Sequence, residues 1–176
     1  MKVVCFGDSN TYGYDPRGYF GGRYDPMYRW VDVLGKKTGW TVVNEGQNGR
    51  EIPGNPMVLP EHADLLIVML GTNDLLQGGT IPTIVAHMER FLSAIEPAKV
   101  VLIAPPPMTI GKWVPTRQLV EDSILLAQGY EVLAQKLGVG FANAGEWKVS
   151  LAYDGVHFTE AGHIAFAEGL YKELTK

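Results

Sequence analysis

The stretch KVVCFGDSN, residues 2–10, decides how the rest of the chain is read. It carries the unbroken apolar run VVCF and then stops at Gly7-Asp8-Ser9. Apolar residues without polar alternation suit a strand covered on both faces, as in a parallel sheet. Gly7 gives the backbone room to turn, so Asp8 and Ser9 surface where the buried strand ends.

Three further runs have the same character: TVVN at 41–44, LLIVML at 65–70 and KVVLIA at 99–104, with GVGFAN at 138–143 as a weaker fifth. Between them lie segments of helical period. Ile81, Ile84, Val85, Met88, Leu92 and Ile95 recur at three- and four-residue steps, with Pro82 in the first turn after Thr80 and Pro97 closing the far end. A second helix is expected around Trp30, Val33 and Leu34, ending near Gly39. A third carries Leu126, Tyr130, Leu133 and Leu137 up to Gly138. The last follows Thr159, an N-cap, through Ile164, Phe166, Leu170 and Tyr171. A repeated βα order predicts an α/β fold: a three-layer, doubly wound, flavodoxin-like sheet of about five parallel strands with right-handed crossovers. In such sheets ligands bind at the carboxyl ends of the strands.

Length and composition limit the alternatives. A chain of 176 residues supports one domain, expected over 1–176, and 46% hydrophobic with 19% charged residues is ordinary globular composition. A net charge of −4 without a Lys/Arg cluster argues against nucleic acid as a partner. The longest apolar runs fall well short of the roughly 20 residues that span a bilayer. VVCF is too short for a signal-peptide core, and the single cysteine, Cys5, reads as a buried small hydrophobe, so a cytoplasmic setting is expected. The loops at 12–28, 52–63 and 105–116 are rich in Gly, Pro and aromatics and read as walls of a site. Their aromatics leave open a homo-oligomer in which a second copy seals that site.

Ser9 sits where the first strand hands over to a turn, which presents its hydroxyl at the sheet edge. A serine nucleophile needs a base. Asp154 and His157 stand three residues apart before the last helix, a spacing at which the carboxylate can accept from Nδ1–H and leave Nε2 to take the serine proton. Acyl transfer also needs donors aimed at the developing oxyanion. Gly49, in GQNGR, can bring a bare backbone N–H close to substrate, and Asn73, in GTND, offers a side-chain amide. His163, one turn into the last helix, reads as structural, and His62 and His87 lack an acidic partner at useful spacing. A metal hydrolase built on Asp8, Asp154, His157 and His163 would leave Ser9, Gly49 and Asn73 without roles. A flavodoxin-like nucleotide-binding module would want a Gly-rich phosphate loop after a strand, and neither G-x-G-x-x-G nor a Walker A pattern is present there.

The blocks FGDSNTYG (6–13), EGQNGR (45–50), LGTND (70–74) and DGVHFTEAG (154–162) resemble, in order, the four signature blocks of the SGNH hydrolases, also called the GDSL esterase/lipase family. They are most similar to its small arylesterase and acyltransferase-like members. The resemblance implies that Ser9 is the nucleophile, that His157 is the base oriented by Asp154, and that Gly49, Asn73 and the Ser9 N–H form the oxyanion hole. It also favours Gly49 over Gly46, because the arylesterase-like pattern places the oxyanion residue directly before Arg50. The implied reaction is two-step hydrolysis or transfer of a short acyl group from a small-molecule ester, with no metal or cofactor. A carbohydrate deacetylase is the alternative, with Tyr19, Trp30 and Trp113 stacking on sugar rings, and thioesterase or lysophospholipase activity uses the same residues. Tyr12, Trp30, Ile52, Met108, Trp113, Val156 and Phe158 are the candidate pocket residues. Asp8 and Asp74 are read as holding their loops by hydrogen bonding. Asn10 departs from the leucine more common in the family.

Overall fold

A computed structural model describes residues 1–18, 22–54, 63–95 and 99–176. Tyr19, His62 and Pro97 lie outside the described residues. Five parallel strands form the central sheet: β1 (Lys2–Gly7), β4 (Thr41–Gly46), β5 (Leu65–Met69), β6 (Lys99–Ala104) and β7 (Gly140–Asn143), in the order β4-β1-β5-β6-β7. Two short antiparallel strands, β2 (Tyr14–Asp15) and β3 (Gly22–Arg23), make a separate hairpin in the loop after β1. The helices are α1 (Ser9–Tyr12), α2 (Trp30–Thr38), α3 (Thr72–Leu76), α4 (Ile81–Ser93), α5 (Arg117–Leu137) and α6 (Glu160–Leu174), with a short 3-10 turn at Ala144–Glu146.

Why the strands lack alternation is visible in what covers them. Val4 and Phe6 of β1, with Leu66 and Val68 of β5, pack beneath α4 and α5, whose Ile84, Met88, Leu126 and Tyr130 are buried. Val3 and Cys5, with Ile67 and Met69, pack on the opposite face against Trp30 and Leu34 of α2 and Phe166 and Leu170 of α6. β1 and β5 therefore feed two cores, and in them a polar residue at either parity would be buried without a partner.

The helix ends follow their local signals. Gly39 and Gly138 close α2 and α5 in the left-handed conformation, and the Thr159 side chain caps α6 by accepting from the Gly162 N–H. GVGFAN is shortened on this account: Gly138 caps the preceding helix and the strand begins at Gly140. The helix read around Leu126 begins earlier, at Arg117, behind the Thr116 cap.

The sheet order sets the site. From β1 the chain crosses to β4 on one side and then returns to β5 on the other, so the loops leaving β1 and β5 diverge and open a crevice between them. That is the switch point of a flavodoxin-like sheet.

Candidate active site

Ser9 is the first residue of α1, directly after the turn that ends β1. Asp8 caps that helix, its carboxylate accepting from the Asn10 N–H at 2.9 Å. Burial pushes the Asp8 carboxyl up to about 6, against the Asn10 N–H and the His157 charge, which pull it down. A carboxyl whose pKa is raised by folding contributes fully below its unfolded value, and the contribution is lost as pH rises through the folded one. Asp8→Asn keeps an acceptor for the Asn10 N–H and removes that loss. It should stabilise the protein by about 2–3 kcal/mol at about pH 7 and by little near pH 4. Urea unfolding at the two pH values checks this, and a variant no more stable than wild type at neutral pH would refute it.

The Ser9 Oγ lies 3.0 Å from His157 Nε2, and His157 Nδ1 lies 2.6 Å from Asp154 Oδ2. Asp154 is almost fully buried, and its other oxygen accepts from the N–H groups of Val156 and His157, both at 3.0 Å. Burial alone would raise this carboxyl, but hydrogen bonds from the His157 ring and from the two backbone N–H groups outweigh it and hold it below the ordinary carboxylate range. An ionised Asp154 only accepts, which places the proton on Nδ1 and leaves Nε2 free to accept from Ser9. The Tyr14 ring packs against the imidazole, with centroids 4.6 Å apart.

Gly49 and Asn73 come to the same crevice from β4 and β5. Gly49 adopts φ +73°, and a side chain there would meet only open space, so the backbone angle is what calls for glycine. Gly46 differs. A Cβ on it would collide with the Tyr12 backbone nitrogen, and its N–H is already given to Asn44 Oδ1 at 2.9 Å, so it packs β4 against α1. Asn73 Nδ2 donates to the Arg50 carbonyl at 3.0 Å, and the second hydrogen of that amide is available for another acceptor.

Arg50, which sequence reading used only as a marker, fastens the Gly49 loop to β1. Its guanidinium donates to the carbonyls of Gly7 and Glu45 and to Gln47 Oε1, and lies 4.2 Å from the centre of the Phe6 ring. Asp74 holds the far side of the same loop by accepting from the Ile52 N–H at 3.2 Å.

A cavity of about 230 Å³ opens over these groups. Ser9, His157, Gly49 and Asn73 line it together with Trp113 and Val156. Tyr14, Asn48 and Leu76 complete the wall, and sequence reading missed all three. Their signals were adjacency alone: Asn48 beside Gly49, Leu76 one turn beyond Asn73, Tyr14 next to a cap. Larger depressions along the outer face of α4 and at the amino end of the sheet contain neither Ser9 nor His157.

Four of the expected pocket residues are core instead. Trp30, Ile52, Met108 and Phe158 are buried in the two hydrophobic clusters and do not line the cavity. Trp30 opens α2, its indole N–H donating to the Asn10 carbonyl and its ring packing on Phe166, while the loop that carries Met108 folds back onto α5, where the Met108 N–H donates to Ser123 Oγ. Tyr12 also stands off the cavity, with the Arg23 guanidinium 4.4 Å from its ring centre. His163 is fully buried beside Tyr24 and Phe158, where burial depresses it to about 3 and keeps it neutral. Among the described residues, no three His, Cys, Asp or Glu side chains are grouped to hold a metal ion, and no helix is long and apolar enough to cross a membrane.

A flavodoxin-like parallel sheet that gathers a serine, a glycine, an asparagine and a histidine at its switch point defines a hydrolase of the SGNH type. The chain belongs to the GDSL-like lipase/acylhydrolase family, whose model matches residues 5–165, and it is an ester hydrolase of that family. Its structure is similar to that of a carbohydrate acetylesterase family member from Sinorhizobium meliloti, at 29% identity and TM-score 0.86, covering 99% of this chain and 97% of the other. It is similar also to the native aryl esterase of M. smegmatis, at 27% identity and TM-score 0.85, covering 99% and 98%. The inhibitor-bound form of that esterase superposes with TM-score 0.87 at 26% identity, covering 99% and 98%. No curated protein sequence matches the chain.

Proposed function

We propose that the protein hydrolyses short-chain carboxylic esters by a serine acyl-enzyme route. The observation that carries this is the Ser9–His157–Asp154 relay, 3.0 and 2.6 Å between successive polar atoms, opening onto the cavity that Gly49 and Asn73 also line. His157 Nε2 takes the Ser9 proton as Oγ attacks the ester carbonyl. The alkoxide of the tetrahedral intermediate is held by the N–H groups of Ser9 and Gly49 and by Asn73 Nδ2. Collapse expels the alcohol, which receives the proton from His157, and water activated by the same imidazole releases the acid.

The cavity volume supports the short-chain reading. At about 230 Å³ it falls below the roughly 300–1,000 Å³ usual for ligand pockets, which suits an acetyl or butyryl group better than a long chain. Aryl acetates and butyrates should be turned over well, with kcat/KM falling as the acyl chain lengthens. A profile that stays flat to long chains would count against this reading. A serine-directed phosphonate should block hydrolysis and leave a single adduct on Ser9, read by peptide mass. An adduct elsewhere, or activity in fully labelled protein, would overturn it.

Asn73→Ala should lower kcat by about 10²–10³-fold, the usual loss when one oxyanion donor is removed. Steady-state kinetics on an aryl acetate measure it, and a change in KM alone would remove Asn73 from the oxyanion hole.

One observation favours a carbohydrate O-acetyl ester as the natural substrate. Trp113, which lines the cavity, is 57% exposed, so part of its ring stays free to stack on a sugar face. Acetylated sugars turned over with higher kcat/KM than aryl acetates, and dependent on Trp113, would decide for it.

A further inference from the structure

Resting on that reading of Ser9 and His157, we infer that Asn10 is a positioning residue whose carboxamide spans the peptide groups on either side of His157 and sets the imidazole against Ser9. Asn10 Oδ1 accepts from the Phe158 N–H at 2.9 Å, and Asn10 Nδ2 donates to the Val156 carbonyl at 3.1 Å. A backbone N–H can only donate and a carbonyl can only accept, so one orientation of the amide satisfies both. The bridge is buried, with Asn10 only 4% exposed. Its own backbone is fixed as well, the N–H donating to Asp8 Oδ1 at 2.9 Å and the carbonyl accepting from the Trp30 indole at 3.0 Å.

The consequence follows from connectivity. Ser9 and His157 lie 148 positions apart in the chain, yet Asn10 follows Ser9 directly in α1 and grips the residues flanking His157. The nucleophile and the loop of its base are therefore joined through one side chain, next to the reacting atoms. Asp154 fixes the rotation of the imidazole within its loop, and Asn10 fixes that loop relative to the serine. Leucine fills a similar volume but bonds to neither peptide group, which leaves a buried N–H and a buried carbonyl to find other partners and lets the loop shift. A displacement on the order of 1 Å at a reacting pair costs about 10²-fold in rate.

The test compares wild type with Asn10→Leu, Asn10→Asp and, as a control for stability alone, Leu170→Ala, which hollows the core on the α2/α6 face. For each, kcat and KM on an aryl acetate, the rate of phosphonate labelling and the melting temperature are measured. Asn10→Leu should lose about 10²-fold in both kcat and labelling rate, with KM within about twofold, because the proton transfer and not binding is misaligned. Asn10→Asp keeps the shape and the acceptor for Phe158 but turns a carboxylate oxygen toward the Val156 carbonyl, and should lose activity in the same pattern. It decides the matter should the leucine variant fail to fold. Leu170→Ala should melt lower and keep its kcat below its melting range. Wild-type kcat in either folded Asn10 variant, or an equal loss in Leu170→Ala, overturns the assignment. If Ser9→Ala retains activity, the nucleophile reading fails and this one with it. If Ser9→Ala is inactive and Asn10→Leu is normal, only the role of Asn10 fails.

Discussion

Ser9→Ala is expected to lower kcat for an aryl acetate by about 10⁵–10⁶-fold while leaving the melting temperature close to that of wild type. The large loss follows because the hydroxyl supplies the bond that divides hydrolysis into two easier steps, and no neighbouring side chain can replace it. The small structural effect follows because Ser9 Oγ makes its hydrogen bond to His157 and faces the cavity, while Asp8 does the capping of α1. Residual activity should reflect the donors and the confinement that remain, about 10³–10⁴-fold over water. Steady-state kinetics on enzyme purified away from host esterases, with a chelator control, measure it. Near-normal turnover in Ser9→Ala, or loss of wild-type turnover on chelation alone, would end the serine mechanism.

Asp154→Asn should cost about 10⁴-fold in kcat with little change in KM, and the geometry says why a substitution of equal size does so much. Asp154 Oδ1 already accepts from the Val156 and His157 N–H groups, so an asparagine oxygen is retained at that position. Its NH₂ must then face His157 Nδ1, where Oδ2 now accepts. The ring answers by protonating Nε2, the nitrogen that has to take the Ser9 proton. Rates measured across pH should recover only partly at high pH. An Asp154→Asn enzyme within tenfold of wild type would show that His157 does not depend on this carboxylate for its tautomer.

Much of this arrangement was legible in the chain because it is local. Strand runs without alternation, glycine after a helix and threonine before one act over a few residues, and all five sheet strands and the four longer helices follow from them. The candidate Ser9, Gly49, Asn73, Asp154 and His157 were legible for a related reason: each stands just past a strand or just before a helix, where backbone groups and side chains are turned toward one edge of the sheet. The pocket residues were legible only in part, since Trp113 and Val156 line the cavity and the other five expected residues do not. Phe158 follows His157 directly, Met108 shares its loop with Trp113 and Trp30 opens α2, and whether such a side chain lines a cavity or joins the core depends on which element it meets.

The amino-acid sequence by itself determined the order of elements, the two-sided burial of the strands and the membership of the polar set at the carboxyl edge, because each rests on short-range pattern. Tertiary structure alone decided which of those groups touch: the 3.0 Å approach of Ser9 to His157 and the bridge from Asn10 to both neighbours of His157. Those contacts join segments more than a hundred residues apart, and only the crossing of β1 between β4 and β5 brings them to one crevice.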